Sequence, residues 1–95
     1  MKLAWSQQAR RDLRELIAFI ADDSPRNADL VNSRILRSVE LLAEMPHVGR
    51  PGRIPGTRER IVGKTPYILV YRIDADEIRI LRVLRGARKW PLSFK

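Results

Sequence analysis

The first half of the chain places apolar residues at helical spacing. A short apolar stretch at 2–5 is typical of a strand, and apolar side chains then recur every three or four positions over 9–20 and again over 28–42. Between the two series, Ser24 suits the N-cap of a helix and Pro25 suits its first position. The pattern predicts two helices joined by a tight turn, which lie antiparallel as a hairpin. The side chains predicted to face the core are Ala9, Leu13, Leu16, Ile17, Ile20, Ala28, Val31, Ile35, Val39 and Leu42.

The second half changes to the spacing of strands. Residues 46–56 contain three Pro and three Gly, which predicts a shaped loop. Three strands are then expected at 57–62, 67–73 and 77–84, with a hairpin at 74–76. The strand at 67–73 is apolar on both faces and should be central. The sequence therefore predicts one domain over residues 1–95 with an α+β fold, in which a short N-terminal strand precedes an antiparallel helical hairpin packed on a small, mainly antiparallel sheet.

Basic side chains gather around the last strand. Regular alternation would place Ile78, Ile80, Arg82 and Leu84 on one face, and Arg79, Leu81, Val83 and Arg85 on the other. Arginine suits phosphate because its planar fork donates paired hydrogen bonds. Trp90 and Phe94 could stack on a base, although a core position is the alternative for Trp90. The predicted nucleic-acid-binding residues are Arg58, Arg60, Arg72, Lys89 and Trp90.

The charge is divided unevenly along the chain. The net charge is +8, yet residues 1–46 contain seven basic and seven acidic residues, so the whole excess lies in residues 47–95. Such a one-sided field attracts nucleic acid or a strongly acidic protein segment. The alternative is a basic surface that serves only solubility.

Several kinds of chemistry are not expected. The chain has no Cys and a single His47, so we expect no disulfide, no thiolate nucleophile, no metal site and no cofactor. His47 is expected on the surface, and Glu59 is expected to pair with Arg58 or Arg60. The sequence has no apolar stretch long enough for a signal peptide or membrane span, which predicts a cytoplasmic protein without a membrane partner.

Nearly the whole chain resembles one family. The resemblance is carried by the order of the predicted elements and by the motifs Ala9-x-x-Asp12-Leu13-x-x-Leu16-Ile17, Gly49-Arg50, Gly56-Thr57-Arg58-Glu59, Pro66-Tyr67-Ile68-Leu69-Val70-Tyr71-Arg72 and Ile80-Leu81-Arg82-Val83-Leu84-Arg85-Gly86-Ala87-Arg88. These are similar to the RelE/ParE superfamily of bacterial type II toxin-antitoxin systems. The resemblance implies a growth-arresting toxin that forms a hetero-oligomer with an antitoxin encoded by a neighbouring gene.

The superfamily contains two activities, and both are open to this chain. RelE-type toxins cut messenger RNA in the ribosome. For them the resemblance implies catalytic roles for Arg82, Arg85 and Arg88, which would stabilise the charge on the phosphorane, while Arg58 and Arg60 position the RNA. The pattern departs at three positions, where Ile68 replaces an Arg, Phe94 a Tyr, and Arg85 the His of many relatives.

ParE-type toxins instead inhibit DNA gyrase and need no catalytic residue. The long hairpin with an acidic turn that is broken by Pro resembles theirs. Because the excess charge suits an RNA-rich target, the sequence favours the ribonuclease, with gyrase inhibition as the alternative.

Overall fold

The chain folds into a five-stranded sheet with two helices, in a computed structural model that describes residues 1–86 and 89–91. The elements in chain order are β1 (Lys2–Trp5), α1 (Gln7–Asp23), α2 (Pro25–Glu44), β2 (Arg50–Pro51), β3 (Arg58–Ile61), β4 (Tyr67–Asp74) and β5 (Glu77–Arg85). The strand order in the sheet is β1-β5-β4-β3-β2. Only the β1–β5 pair is parallel, so the predicted α+β fold with a central β4 is confirmed. No helix in the described part of the chain is long and apolar enough to span a membrane.

A single serine connects the two helices. The Ser24 backbone is extended; its N–H donates to the Ile20 carbonyl at the end of α1, and its hydroxyl accepts from the Asn27 N–H at the start of α2. Pro25 follows at the first helical position, as predicted. Because the connection is one residue long, α1 and α2 pack against each other as a pair.

The main core lies between the helices and one face of the sheet. Ile35 and Leu42 of α2 are fully buried there against Leu69, Tyr71 and Ile80 of the central strands. The residues that are partly buried around this cluster include Leu13, Leu16, Ile20 and Val31. Ile17, which the periodicity also directs inward, is only half-buried. A smaller cluster of Ile68, Val70 and Leu84, with Trp90 packed on it, covers the opposite face of the sheet.

A β-bulge in β5 makes the prediction of regular alternation wrong. Tyr71 pairs with Ile80 while Val70 pairs with Arg82, so Leu81 is an extra residue on this strand. Residues before and after the bulge therefore exchange faces. Ile78 and Ile80 share the main core with Val83, whereas Leu84 packs on the opposite face. The bulge lies where β1 ends beside Ile80, and there the Leu81 carbonyl accepts a hydrogen bond from the Ser6 hydroxyl.

Candidate functional site

The sheet face opposite the helices collects basic side chains around an apolar centre. The centre is Ile68, Val70, Leu84 and Trp90. Strand alternation and the pairing of β4 with β5 put Arg72, Arg79 and Arg82 on this face, and β2 adds Arg50 beside Glu59. We call this surface the basic face; together with Arg53 of the loop, its cations are Arg50, Arg53, Arg72, Arg79 and Arg82.

The loop at 46–56 is fixed in shape by side chains from the sheet. The buried Tyr71 hydroxyl donates to the Pro46 carbonyl at 2.7 Å and accepts from the Gly49 N–H at 2.9 Å. Arg58 Nη1 donates to the Gly49 carbonyl at 2.7 Å. A Cβ atom on Gly49 would lie 2.5 Å from the Tyr71 hydroxyl oxygen, so only glycine fits there. Burial raises the pKa of Tyr71, which keeps its hydroxyl protonated as a structural donor.

Glu59 is a buried carboxylate that holds two arginines of the loop. One oxygen, Oε2, accepts from the Arg53 N–H at 2.7 Å and from Arg53 Nε at 3.3 Å. The other, Oε1, accepts from Arg53 Nη2 at 3.3 Å and from Arg50 Nη2 at 3.2 Å. Burial alone would raise the pKa of Glu59, but the hydrogen bonds from Arg53 and Arg50 outweigh it and lower the pKa below its ordinary value. The carboxylate is therefore ionised at neutral pH.

The expected pairing of Glu59 with Arg58 or Arg60 is wrong. Neighbours along a strand point to opposite faces, so Glu59 lies on the basic face and both arginines lie on the helix side. On that side, the positive charges of Arg58 and Arg60 lower the pKa of Tyr71 and so partly offset the effect of its burial. The sequence did contain a signal for the true partners, because the Gly/Pro loop that precedes β3 is rich in arginine.

Trp90 closes the basic face beside this loop. Its ring packs on Ile68, Val70 and Leu84, and its Nε1–H donates to the Arg85 carbonyl at 3.1 Å. The Arg53 guanidinium lies over the ring, with Cζ 3.5 Å from the ring centroid. Stacking of a base on Trp90, predicted from the sequence, would require Arg53 to move away.

Arg82 starts from the basic face but forms an ion pair with Asp12 of α1 at the edge of β5, beyond the point where β1 ends. Its Nε and Nη2 donate to the two oxygens of Asp12 at 2.7 and 3.0 Å, and Asp12 Oδ2 also accepts from the Val83 N–H at 2.9 Å. The hydrogen bonds that Arg82 donates to Asp12 raise the pKa of Arg82. Asp12 and Arg82 are 11% and 17% exposed, so this bidentate pair is largely shielded from water.

The other predicted site residues do not converge on Arg82. Arg85 pairs with Tyr67 and lies on the helix side, where it lines a groove of about 400 Å³ between α1 and the end of β5. Arg72 lies toward the opposite end of the basic face and pairs with Asp74 at 2.8 Å. Lys89 is exposed. Arg88 and Phe94 lie outside the described residues.

The geometry of the basic face suits anion binding better than proton transfer. Among the residues that the structure describes, the ionisable groups on this face are mainly arginines and the carboxylates of Glu59, Asp74 and Glu77, each of which lies within 4.0 Å of an arginine there. A guanidinium stays protonated near neutrality and is therefore a poor proton donor or acceptor there. His47 is exposed in the loop. Within residues 1–86 and 89–91 there is no group of three or more His, Cys, Asp or Glu that could hold a metal ion.

Comparison with known sequences gives consistent matches over nearly the whole chain. A family model described as the ParE toxin of the type II toxin-antitoxin system parDE matches residues 3–90. The Sinorhizobium fredii protein named "Putative toxin Y4kP" is 43% identical over 90 residues, which cover 95% of this chain and 93% of that protein. The protein named "Toxin RelE1" of Caulobacter vibrioides is 29% identical over 83 residues, covering 85% and 88%.

Comparison with solved structures also matches chains from toxin-antitoxin systems. A chain from the chromosomal ParDE toxin-antitoxin system of P. aeruginosa superimposes with a TM-score of 0.79 at 28% identity, covering 90% of this chain and 95% of that one. A chain of the toxin-antitoxin complex RelBE2 from Mycobacterium tuberculosis gives a TM-score of 0.62 at 30% identity, with coverage of 86% and 93%.

Proposed function

Because this chain belongs to the ParE toxin family of type II toxin-antitoxin systems, we propose that it arrests growth by binding DNA gyrase and that it has no catalytic activity of its own. It is the toxin of such a module, and an antitoxin is its partner. A gyrase target also carries the expectation that the protein acts in the cytoplasm.

The observation that carries the proposal is the environment of Arg82. A ribonuclease of this superfamily would need Arg82, Arg85 and Arg88 around one phosphate. Arg82 is instead engaged by Asp12 in a shielded bidentate pair, and Arg85 lies on the other side of the sheet. An ion pair of this kind tethers β5 to α1 and leaves that guanidinium less able to neutralise a transition state.

Exposed apolar side chains support action through a protein contact. Phe19 lies beside the groove between α1 and β5 and is 74% exposed, and Leu30 of α2 is 47% exposed. Large apolar groups on the surface of a small domain are a feature of protein interfaces, where aromatic residues are enriched.

Messenger RNA cleavage is the second candidate function. Two of the similar proteins bear RelE or RelBE names, and the concentration of charge in residues 47–95 favours a polyanionic target. In that case Arg85 and Arg88 would act on the phosphate without Arg82, and the proton transfers would need groups other than the arginines of the basic face.

Two assays, one with the purified toxin and one in cells, separate the candidates. We expect it to inhibit DNA supercoiling by purified gyrase, and its induction in cells to trigger the DNA-damage response before translation stops. Arg85→Ala should weaken growth arrest because Arg85 lines the groove beside Phe19, and the sequence predicts the same for Arg88→Ala, whereas Arg37→Ala, on the exposed side of α2, should not. New cleavage ends in ribosome-bound mRNA, together with unimpaired supercoiling, would establish the ribonuclease instead.

A further inference from the structure

The loop end of the basic face presents two arginines that share one buried carboxylate. Arg50 and Arg53 contact Glu59 at 3.2 and 3.3 Å. Their side chains are 59% and 42% exposed, while that of Glu59 is 1% exposed. The carboxylate therefore lies behind the two guanidinium groups, which face outward.

Each guanidinium keeps hydrogen-bond donors that Glu59 does not engage. An arginine has five N–H donors. Glu59 engages Nη2 of Arg50, and Nε and Nη2 of Arg53. Nη1 of both side chains and Nε of Arg50 donate no hydrogen bond to Glu59. Two arginines and one carboxylate also leave a net charge of +1, which matches a single phosphodiester.

The pair is held in place before any ligand arrives. Tyr71 and Arg58 fix the loop through Pro46 and Gly49, and the Arg53 guanidinium lies over the Trp90 ring. Side chains that are already ordered lose less conformational entropy on binding. A surface arginine without such support would have to be immobilised by the ligand itself.

We propose that Arg50 and Arg53, held by Glu59, bind a phosphate of the DNA backbone. The basic face continues from this pair to Arg72 and Arg79, whose side chains stay 45% and 40% exposed although they pair with Asp74 and Glu77. Several exposed guanidinium groups along one face suit a chain of repeated phosphates better than an isolated carboxylate. The inference deepens the proposed function, since a toxin bound to gyrase lies within reach of the DNA on which that enzyme acts.

The variant Glu59→Gln distinguishes a built site from simple charge attraction. Binding is measured by the fluorescence anisotropy of a labelled DNA duplex of about 20 base pairs, long enough to span a contact surface of this size, with the purified full chain and no gyrase. Glu59→Gln raises the net charge, so charge attraction alone would tighten binding. The proposal requires weaker binding, because Arg50 and Arg53 lose the carboxylate that orients them. Equal or tighter binding would overturn it.

The variant Arg50→Gln tests the phosphate contact with less risk to the fold. It leaves all three Arg53 bonds to Glu59 in place. Losing one phosphate contact should make the slope of log affinity against log salt shallower by about one. Arg26→Gln is the matched control, since it removes the same charge from an exposed site on α2 and should leave the slope unchanged. If both variants change the slope equally, the proposal is wrong.

Circular dichroism and thermal melting test whether each variant is folded. If Glu59→Gln does not fold, the salt dependence of Arg50→Gln decides the result. Unchanged DNA binding with weaker binding of poly-glutamate would assign the pair to protein carboxylates and overturn the proposal. Because the assay contains no gyrase, a toxin that binds DNA in this way without inhibiting supercoiling would contradict only the proposed function.

Discussion

Three polar side chains with little or no exposure form hydrogen bonds with backbone groups of the loop at 46–56 and of the β5 bulge, where the regular hydrogen bonds of helix or sheet are missing. Tyr71 pairs with two groups of the loop, Glu59 accepts the Arg53 N–H, and Asp12 accepts the Val83 N–H beside the bulge. In the described part of the chain, no buried side-chain nitrogen or oxygen lacks a partner. Burying a polar group without a partner costs free energy, so these residues stabilise the irregular segments that the sheet alone leaves unsupported.

Replacing Tyr71 by Phe tests this support at the loop. The change leaves the Pro46 carbonyl and the Gly49 N–H without their partner, and we expect the free energy of unfolding to fall by about 1 to 3 kcal/mol. Urea unfolding followed by circular dichroism measures it. Tyr67→Phe is the control, because the Tyr67 hydroxyl forms no hydrogen bond with any other residue that the structure describes. Equal losses for the two variants would mean that the Tyr71 hydroxyl does not anchor the loop.

Glu59 should make stability depend on pH in a defined direction. Its pKa is lowered in the folded protein from an ordinary value of 4.5, so the unfolded chain takes up the proton first as the pH falls. The stabilisation is present above pH 4.5 and is lost as the pH falls toward the folded-state value. The difference in the free energy of unfolding between wild type and Glu59→Gln should thus be largest near pH 7 and shrink below pH 4.5. A difference that grows on acidification would contradict the assigned ion pairs.

At the scale of elements, α2 is held by a narrow apolar stripe. Ile35 is fully buried in the main core, whereas its neighbour Leu36 is 40% exposed. Ile35→Ala should therefore lower the free energy of unfolding by about 2 to 5 kcal/mol. Leu36→Ala removes a similar side chain from the surface and should cost well under half as much. Denaturant unfolding of both variants measures the two losses of free energy of unfolding. Similar losses would mean that α2 is rotated about its axis relative to the packing in this structure.

Periodicity predicted the helices and the two long strands, β4 and β5, because each buries a repeating apolar face or, for β4, both faces. It could not predict the bulge, since Leu81 looks like an ordinary strand residue in sequence. The short β2 was also missed, because its two residues, Arg50 and Pro51, pair only along the edge of β3. Proline is tolerated at a sheet edge, where its missing N–H is not needed.

The site was predicted less completely than the fold. Composition located the arginines, but their partners depend on tertiary contacts. Arg82 meets Asp12 across 70 positions of the chain, and Glu59 meets arginines of a loop whose path is set by Tyr71. Opposite charges that are distant in sequence give no local pattern. The sequence therefore indicated where cations gather, and the structure shows which of them are engaged with carboxylates.

At the scale of the whole molecule, the excess positive charge and most of the exposed large apolar side chains lie in different halves of the chain, with Ile61 as an exception. The helical half is neutral and exposes Phe19, and the sheet half carries the excess positive charge. An antitoxin that covered both would combine apolar anchors on the helices with acidic residues over the sheet. Apolar contacts of this kind mainly set the dissociation rate, and long-range charge mainly sets the association rate.

Association with the antitoxin should accordingly be steered by the sheet half. We expect the association rate constant, measured by stopped-flow fluorescence, to fall at least about tenfold between low and high salt, because screening shortens the reach of the field to about 8 Å at physiological ionic strength. The dissociation rate constant should change much less.

Two charge-removing variants test whether the position of the charge matters. Lys89→Gln removes a charge from the basic half and Arg26→Gln removes one from the neutral half, and both side chains are exposed. Lys89→Gln should slow association more than Arg26→Gln at low salt, and the difference should vanish at high salt, where the charges no longer act at a distance. Equal effects would mean that only net charge matters, and an association rate independent of salt would mean that apolar contacts alone guide the two proteins together.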